Sequence, residues 1–248
     1  LPAELAIHQA IHKIDVLHSP DFIATRGAFR KIITIHDLYF MQHPEVMSRD
    51  GARYYGQVGW SAAQADAIIA VSEFTRGDIY RLLPAVARQK VWVVHEAAAL
   101  ADDAATPASA AAPYALFVGT AEPRKNLITL LTALAQLRQQ GRLPADFKLC
   151  IAGAQGWAGD TPQHMAQMLG VSDVLAMTGE VDQARLHQLY CGARMLLLPS
   201  HYEGFGLTAL YCAGSIVAIG VLMRNESLQF RCMPTHLVAA NHDSPFTR

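Results

Sequence analysis

Short apolar runs, rich in β-branched residues and almost free of alternation, recur along the first hundred residues. They are residues 14–18 (Ile-Asp-Val-Leu-His), 31–35 (Lys-Ile-Ile-Thr-Ile), 67–71 (Ala-Ile-Ile-Ala-Val) and 91–94 (Val-Trp-Val-Val). A strand covered on both faces has this pattern, as in a parallel sheet. Each run breaks into polar residues: Ser19-Pro20, His36-Asp37, Ser72 and His95-Glu96. An open α/β sheet carries its ligand groups at such strand ends. Between the third and fourth runs, residues 72–83 predict a helix that Ser72 caps and Pro84 ends.

A composition break follows. Residues 97–113 are dominated by Ala, Asp, Ser and Pro and show no apolar periodicity, which predicts a linker. The strand–helix rhythm then resumes. Strands are predicted at 115–118, 147–152, 174–177 and 195–198. Between them, Asn126 is the expected cap of a helix carrying Leu127, Leu130, Leu131, Leu134 and Leu137 and ended by Gly141. Thr161-Pro162 opens a second helix, with proline at its first position, and Asp182 caps a third with Leu186, Leu189 and Tyr190. The reading is an α/β protein of two doubly wound domains, 1–96 and 114–248, joined by the 97–113 linker. The cleft between them is the expected ligand site.

Composition narrows the function. Of 248 residues, 52% are apolar and 17% charged, enough to bury a core and too apolar for general disorder. The net charge of −1 lacks the basic surplus of a nucleic-acid binder. The longest apolar runs, such as 215–223, fall short of the roughly 20 residues of a membrane span. Cys150, Cys191, Cys212 and Cys232 are widely spaced with no CxxC, so reduced thiols are expected rather than a disulfide framework. No secretory leader is evident. The chain opens in a helical stretch on Leu1 rather than Met, which reads as a cut N-terminus. His8 and His12 have the spacing of two metal ligands on a helix, but the sequence places no third, and no metal is expected. The loop Gly153–Gly159 lacks the GxGxxG spacing and reads as a plain loop. No GxSxG supports a serine hydrolase.

Two segments carry chemistry. In Phe117-Val-Gly-Thr-Ala-Glu-Pro-Arg-Lys-Asn126 a strand ends on Gly119, and Arg124 and Lys125 stand just before a helix start. Adjacent cations beside free helix amides make a phosphate or diphosphate clamp. In Pro199-Ser-His-Tyr-Glu-Gly-Phe-Gly-Leu207 two glycines flank Phe205, letting backbone amides approach a ligand, and Glu203 can accept from hydroxyls. Alone, each segment reads equally well as an ordinary surface turn.

In order, however, Gly119-Thr-Ala-Glu-Pro-Arg-Lys-Asn, Ile151-Ala-Gly153, Met177-Thr-Gly-Glu-Val181, Leu186-His-Gln-Leu-Tyr-Cys-Gly-Ala193 and Leu198-Pro-Ser-His-Tyr-Glu-Gly-Phe-Gly-Leu207 form a series. Together with Ile35-His36-Asp37 and Ala70-Val-Ser-Glu73, they resemble the retaining glycosyltransferases of family 4. The resemblance runs from residue 30 to about 210. It implies the GT-B fold, two Rossmann-like domains facing a cleft, the first incomplete here.

It also implies roles. Arg124 and Lys125 would hold the donor diphosphate and stabilise the leaving group in place of a metal, with no cofactor required. Glu203 would contact the donor sugar, and Phe205, Gly206 and Leu207 would form the turn facing sugar and phosphate. His36 would face the transferred sugar, Gly119 would sit at the diphosphate turn, and Glu180 and Val181 would meet the nucleobase. The implied reaction moves a hexose from a GDP- or UDP-sugar to the hydroxyl of a glycan or lipid-linked acceptor, with retention. Its expected setting is polysaccharide or glycolipid synthesis in the cytoplasm, at the inner face of the membrane. The family pattern carries a second Glu eight residues after Glu203, and this chain has Tyr211 there. The family's glycine-rich acceptor loop is absent from the opening residues, and the segment from 215 reads as an atypical tail without the expected further strands. Two alternatives stay open: a catalytically inactive remnant of such an enzyme, and a sugar-nucleotide epimerase of the same fold.

Overall fold

The computed structural model describes residues 14–97, 114–154, 156, 161–211, 218–222 and 230–233. The chain divides into a first unit ending at Glu96 and a second beginning at Ala97.

In the first unit, β1 (Val16–Ser19), β2 (Arg30–Ile35), β3 (Ala67–Ala70) and β4 (Val91–Val93) form a parallel sheet in the order β1-β2-β3-β4. All four apolar runs are strands. Ile33, Ile35 and Ile68 are fully buried, with Phe22, Leu38 and Ile79 in the same core. Each such side chain contributes roughly 1.5–3 kcal/mol by leaving water. The segment between β2 and β3, for which the pattern predicts no element, forms three short helices: α1 (Tyr39–Gln42), α2 (Arg49–Tyr55) and α3 (Val58–Gln64). They are too short to show a helical stripe. Aromatic packing fixes them instead: Phe40 stacks on Tyr55 at 4.4 Å, and Phe22 meets Tyr54 edge-on at 5.2 Å. The predicted helix is α4 (Glu73–Leu82), and the Ser72 hydroxyl accepts from the Thr75 amide at 3.0 Å. Leu83 ends it before Pro84.

The second unit contains β5 (Tyr114–Val118), α5 (Leu127–Gln139), β6 (Lys148–Ala152), α6 (Pro162–Met168), β7 (Leu175–Gly179), α7 (Gln183–Gly192), β8 (Ala193–Leu198), α8 (Leu207–Tyr211), β9 (Ala218–Leu222) and β10 (Phe230–Met233). The sheet order is β10-β9-β8-β5-β6-β7. All neighbours are parallel except β9 and β10. Leu127, Leu130, Leu131 and Leu134 bury one face of α5 against Phe117, Leu149 and Ile151. Asp182 and Thr161 cap their helices as expected, accepting from the Arg185 and His164 amides. Gly141 has φ 65 at the end of α5, where the chain needs a left-handed residue. Cys150 and Cys191 are free thiols, and burial pushes the Cys150 thiol pKa up. The adjacent Tyr114 hydroxyl is also raised by burial and donates to the Leu189 carbonyl at 2.7 Å.

The expectation that the chain lacks further strands beyond 215 is corrected. β9 lies parallel to β8, with Leu196 opposite Ile219, and β10 returns antiparallel to it. Ala218-Ile-Gly-Val-Leu222 is too short to cross a membrane but has the length and β-branching of a buried strand. The His8–His12 pair, nearly all of the linker, and Gly159 lie outside the described residues.

Candidate functional site

Strand order alone locates a crevice in the second unit. From β5 the chain steps outward through β6 and β7, then returns to pair as β8 on the other side of β5. Connections therefore diverge at the C-terminal ends of β5 and β8, where an open α/β sheet binds its ligands. The two loops there are the two segments that the sequence singles out.

Asn126 ties them together. It holds the N-terminal position of α5 but does not cap it with its side chain, contrary to the sequence reading. Its Nδ2 donates to the Pro199 carbonyl at 2.9 Å, and its Oδ1 accepts from the Thr129 hydroxyl at 2.6 Å. The His201 amide donates to the Arg124 carbonyl at 2.8 Å. Among the described residues Asn126 is the one non-glycine with positive φ, 56°, a conformation asparagine tolerates better than most. The asparagine side chain is buried and joins two loops, and it is the Asn126 backbone carbonyl that accepts from the Thr129 amide, at 3.2 Å.

That turn, Pro123–Lys125, presents the cations. Lys125 Nζ donates to Glu203 Oε1 at 2.7 Å. The Ser200 hydroxyl donates to the same oxygen at 2.7 Å. Arg124 Nε lies 2.6 Å from Glu122 Oε1, and its Nη1 lies 3.5 Å from Glu203 Oε2. The Lys125 side chain is 10% exposed and those of Glu122 and Glu203 are 10% and 13%. Two cations and two carboxylates thus share a largely desolvated cluster. The structure brings Arg124, Lys125 and Glu203 together. Glu122 and Ser200 are members that sequence reasoning left without a role, although both lie inside the quoted segments.

Beside the cluster, a cavity of about 350 Å³ is lined by Gly119, Glu180 and Val181 with Gly153 and Leu186. Three predicted nucleotide-contacting residues therefore share one wall. Lys125 adjoins it: a Cβ on Gly119 would lie 3.4 Å from Lys125 Cε. The loops forming the wall are laddered. The Gly119 amide donates to the Ala152 carbonyl at 2.9 Å, Ala121 to Ala154 at 3.1 Å and Gly153 to Gly179 at 2.9 Å. This contact requires glycine at 153: at φ 143, a Cβ there would lie 2.3 Å from the Gly119 carbonyl oxygen. The loop from Gly153, read from sequence as plain, is the support on which the Gly119 turn rests.

Phe205, Gly206 and Leu207 lead into α8, with Gly206 at φ 85 and its carbonyl accepting from the Ala209 amide at 2.9 Å. Tyr211, at the end of α8, stacks parallel on Tyr190 of α7 with ring centroids 5.9 Å apart. His36 belongs to the first unit, at the end of β2. Its Nδ1 lies 2.8 Å from Glu96 Oε1 and its Nε2 lies 3.1 Å from the Pro20 carbonyl oxygen. Glu96, a further residue to which the sequence assigned no role, sits at the polar end of β4 and was legible there only as a strand-end carboxylate. Among the described residues no group of three or more His, Cys, Asp or Glu is placed to hold a metal ion, and no helix is long and apolar enough to cross a membrane.

The chain is similar to proteins of one kind. Residues 1–100 match the model of Glycosyltransferase Family 4, and residues 101–218 match that of Glycosyl transferases group 1. O-antigen chain mannosyltransferase B of Escherichia coli is 30% identical over 226 residues, 85% of this chain and 58% of the relative. The chain thus spans a little over half of that relative's length. Among solved structures, sucrose-phosphate synthase from Thermosynechococcus elongatus aligns with TM-score 0.67 at 19% identity, covering 89% of this chain and 59% of the other. The lipopolysaccharide glycosyltransferase WaaG aligns with TM-score 0.64 at 14% identity, covering 88% and 62%. The ordered motifs, the two parallel α/β sheets and these matches agree: the chain belongs to the group 1 glycosyltransferases of the GT-B fold.

Proposed function

We propose that this chain carries the donor site of a retaining hexosyltransferase that takes a GDP- or UDP-hexose and serves polysaccharide or glycolipid synthesis. The acceptor in this reading is the hydroxyl of a glycan or a lipid-linked glycan, met at the cytoplasmic face of a membrane. The observation that carries the reading is the placement of Arg124 and Lys125 at the switch point of the second sheet, beside the cavity lined by Gly119, Glu180 and Val181. A nucleoside seated along that wall leaves its diphosphate at the two cations. Negative charge develops on the leaving diphosphate, and fixed cations in a desolvated pocket stabilise it there. Glu203 supplies a carboxylate to the sugar hydroxyls. The mannosyltransferase relative supports the synthetic setting.

A second reading is favoured by Tyr211: nucleotide binding without turnover. A carboxylate at that position would accept from two ribose hydroxyls, whereas a phenol offers one oxygen, and this ring is engaged with Tyr190. Titration calorimetry with UDP and GDP, together with a product assay on their hexose conjugates, separates the two. The transferase reading expects binding and turnover; the second expects binding alone. In either case Lys125→Ala is expected to weaken diphosphate binding by about 1.5–3 kcal/mol, the worth of one charge-assisted contact. Unchanged affinity would remove the clamp from the assignment.

A further inference from the structure

The clamp in the second unit already holds an anion, and that anion is one of its own side chains. Glu203 Oε1 accepts from Lys125 Nζ and from the Ser200 hydroxyl, both at 2.7 Å, and Oε2 faces Arg124 Nη1 at 3.5 Å. Glu122 takes the guanidinium from its Nε side at 2.6 Å. The cations are thus matched one for one by carboxylates within the cluster. A diphosphate arriving at Lys125 competes with Glu203 for the same ammonium, and a carboxylate displaced in these largely desolvated surroundings must be paired again.

We infer that Glu203 is an internal competitor of the diphosphate, and that this competition makes the site discriminate a sugar nucleotide from the nucleoside diphosphate left after transfer. The inference rests on the donor-site reading above. A carboxylate released from Lys125 needs new donors. An intact sugar nucleotide brings hydroxyls that supply them. The bare nucleoside diphosphate lacks the hexose and keeps only its ribose hydroxyls, which the donor-site reading seats along the nucleoside wall, so its binding carries the full cost of displacing Glu203. One residue therefore weakens the product complex relative to the substrate complex and favours product release. Ser200 holds the carboxylate in its resting position, whereas Glu122 pairs with the other clamp cation, Arg124, on its Nε side.

The test compares the wild-type chain with Glu203→Gln and Lys125→Ala, using UDP, GDP, inorganic pyrophosphate and the two hexose conjugates as titrants. Glutamine keeps the size and an oxygen acceptor for Ser200 and Lys125, so the loops should retain their arrangement; an unchanged melting temperature and far-ultraviolet spectrum check this. Removing the competing charge is expected to tighten binding of whichever diphosphate the wild type binds, and of pyrophosphate, by about tenfold or more. The same change should narrow or reverse the preference for the hexose conjugate over its bare diphosphate. Binding that is unchanged or weaker in Glu203→Gln, while Lys125→Ala weakens it, overturns the competitor role and leaves the clamp standing. Diphosphate binding that is indifferent to Lys125→Ala, or undetectable in every form, removes the clamp itself and this inference with it.

Discussion

Asn126 shows how much a single side chain can hold at this site. Replacing it by Ala leaves the buried Pro199 carbonyl and the Thr129 hydroxyl without their partner and places a Cβ-bearing residue at φ 56 without asparagine's local compensation. Orphaned groups and left-handed backbone together are expected to cost about 2–4 kcal/mol of stability. Asn126→Gly relieves the backbone part alone, so it should be destabilised less than Asn126→Ala in urea unfolding; equal losses would mean that the backbone conformation contributes nothing. The residue itself was visible in the sequence as the start of α5, and its identity suits capping. That it instead reaches across to Pro199 depends on which strand lies beside β5, and residue spacing does not contain that neighbour relation. Glu122 and Ser200 were hidden for the same reason: each acts only once the β5 and β8 loops meet.

Among the elements, the strands were the most legible and the short helices the least. Every predicted strand run is a strand, but burial on both faces holds for central strands such as β5 and β6, whereas the edge strands β1 and β7 have no buried residue and Trp92 of β4 is exposed, contrary to the sequence expectation. Helices α2 and α3 are held by contacts distant in sequence, among them Tyr54 to Asp21. That bond gives α2 a titratable anchor. The Asp21 carboxylate accepts from the Tyr54 hydroxyl and raises its pKa from the ordinary 10 to about 12. Folding therefore favours the protonated phenol. Its stabilisation is complete below the unfolded value near 10 and is lost as pH rises through the folded value near 12. Ultraviolet titration at the phenolate band is expected to show, beside the half-buried Tyr114, a late-titrating tyrosine that disappears in Tyr54→Phe. The variant should also lose less stability than the wild type between those two pH values. A Tyr54 that titrates with the exposed tyrosines would break the proposed anchor.

For the whole chain, the two units have separate cores, and the residues assigned to the nucleotide all belong to the second. Saturating UDP or GDP, whichever binds, is expected to slow amide hydrogen exchange most at residues 119–125, 153–154, 179–181 and 200–207. Slowing concentrated instead between residues 16 and 96 would place the nucleotide elsewhere. The wall it meets is laddered by backbone hydrogen bonds through Gly119, Ala121 and Gly153. In kinetic terms that ladder makes the receptor stiff before the ligand arrives. Little backbone entropy of these laddered residues remains to be lost on association. The rearrangement that the competition adds, a swing of the Glu203 side chain, is a rotamer change rather than a loop movement. Capture of the diphosphate is then a single step whose observed rate climbs in proportion to ligand concentration, and differences in affinity among variants of this wall are carried by how long the ligand stays.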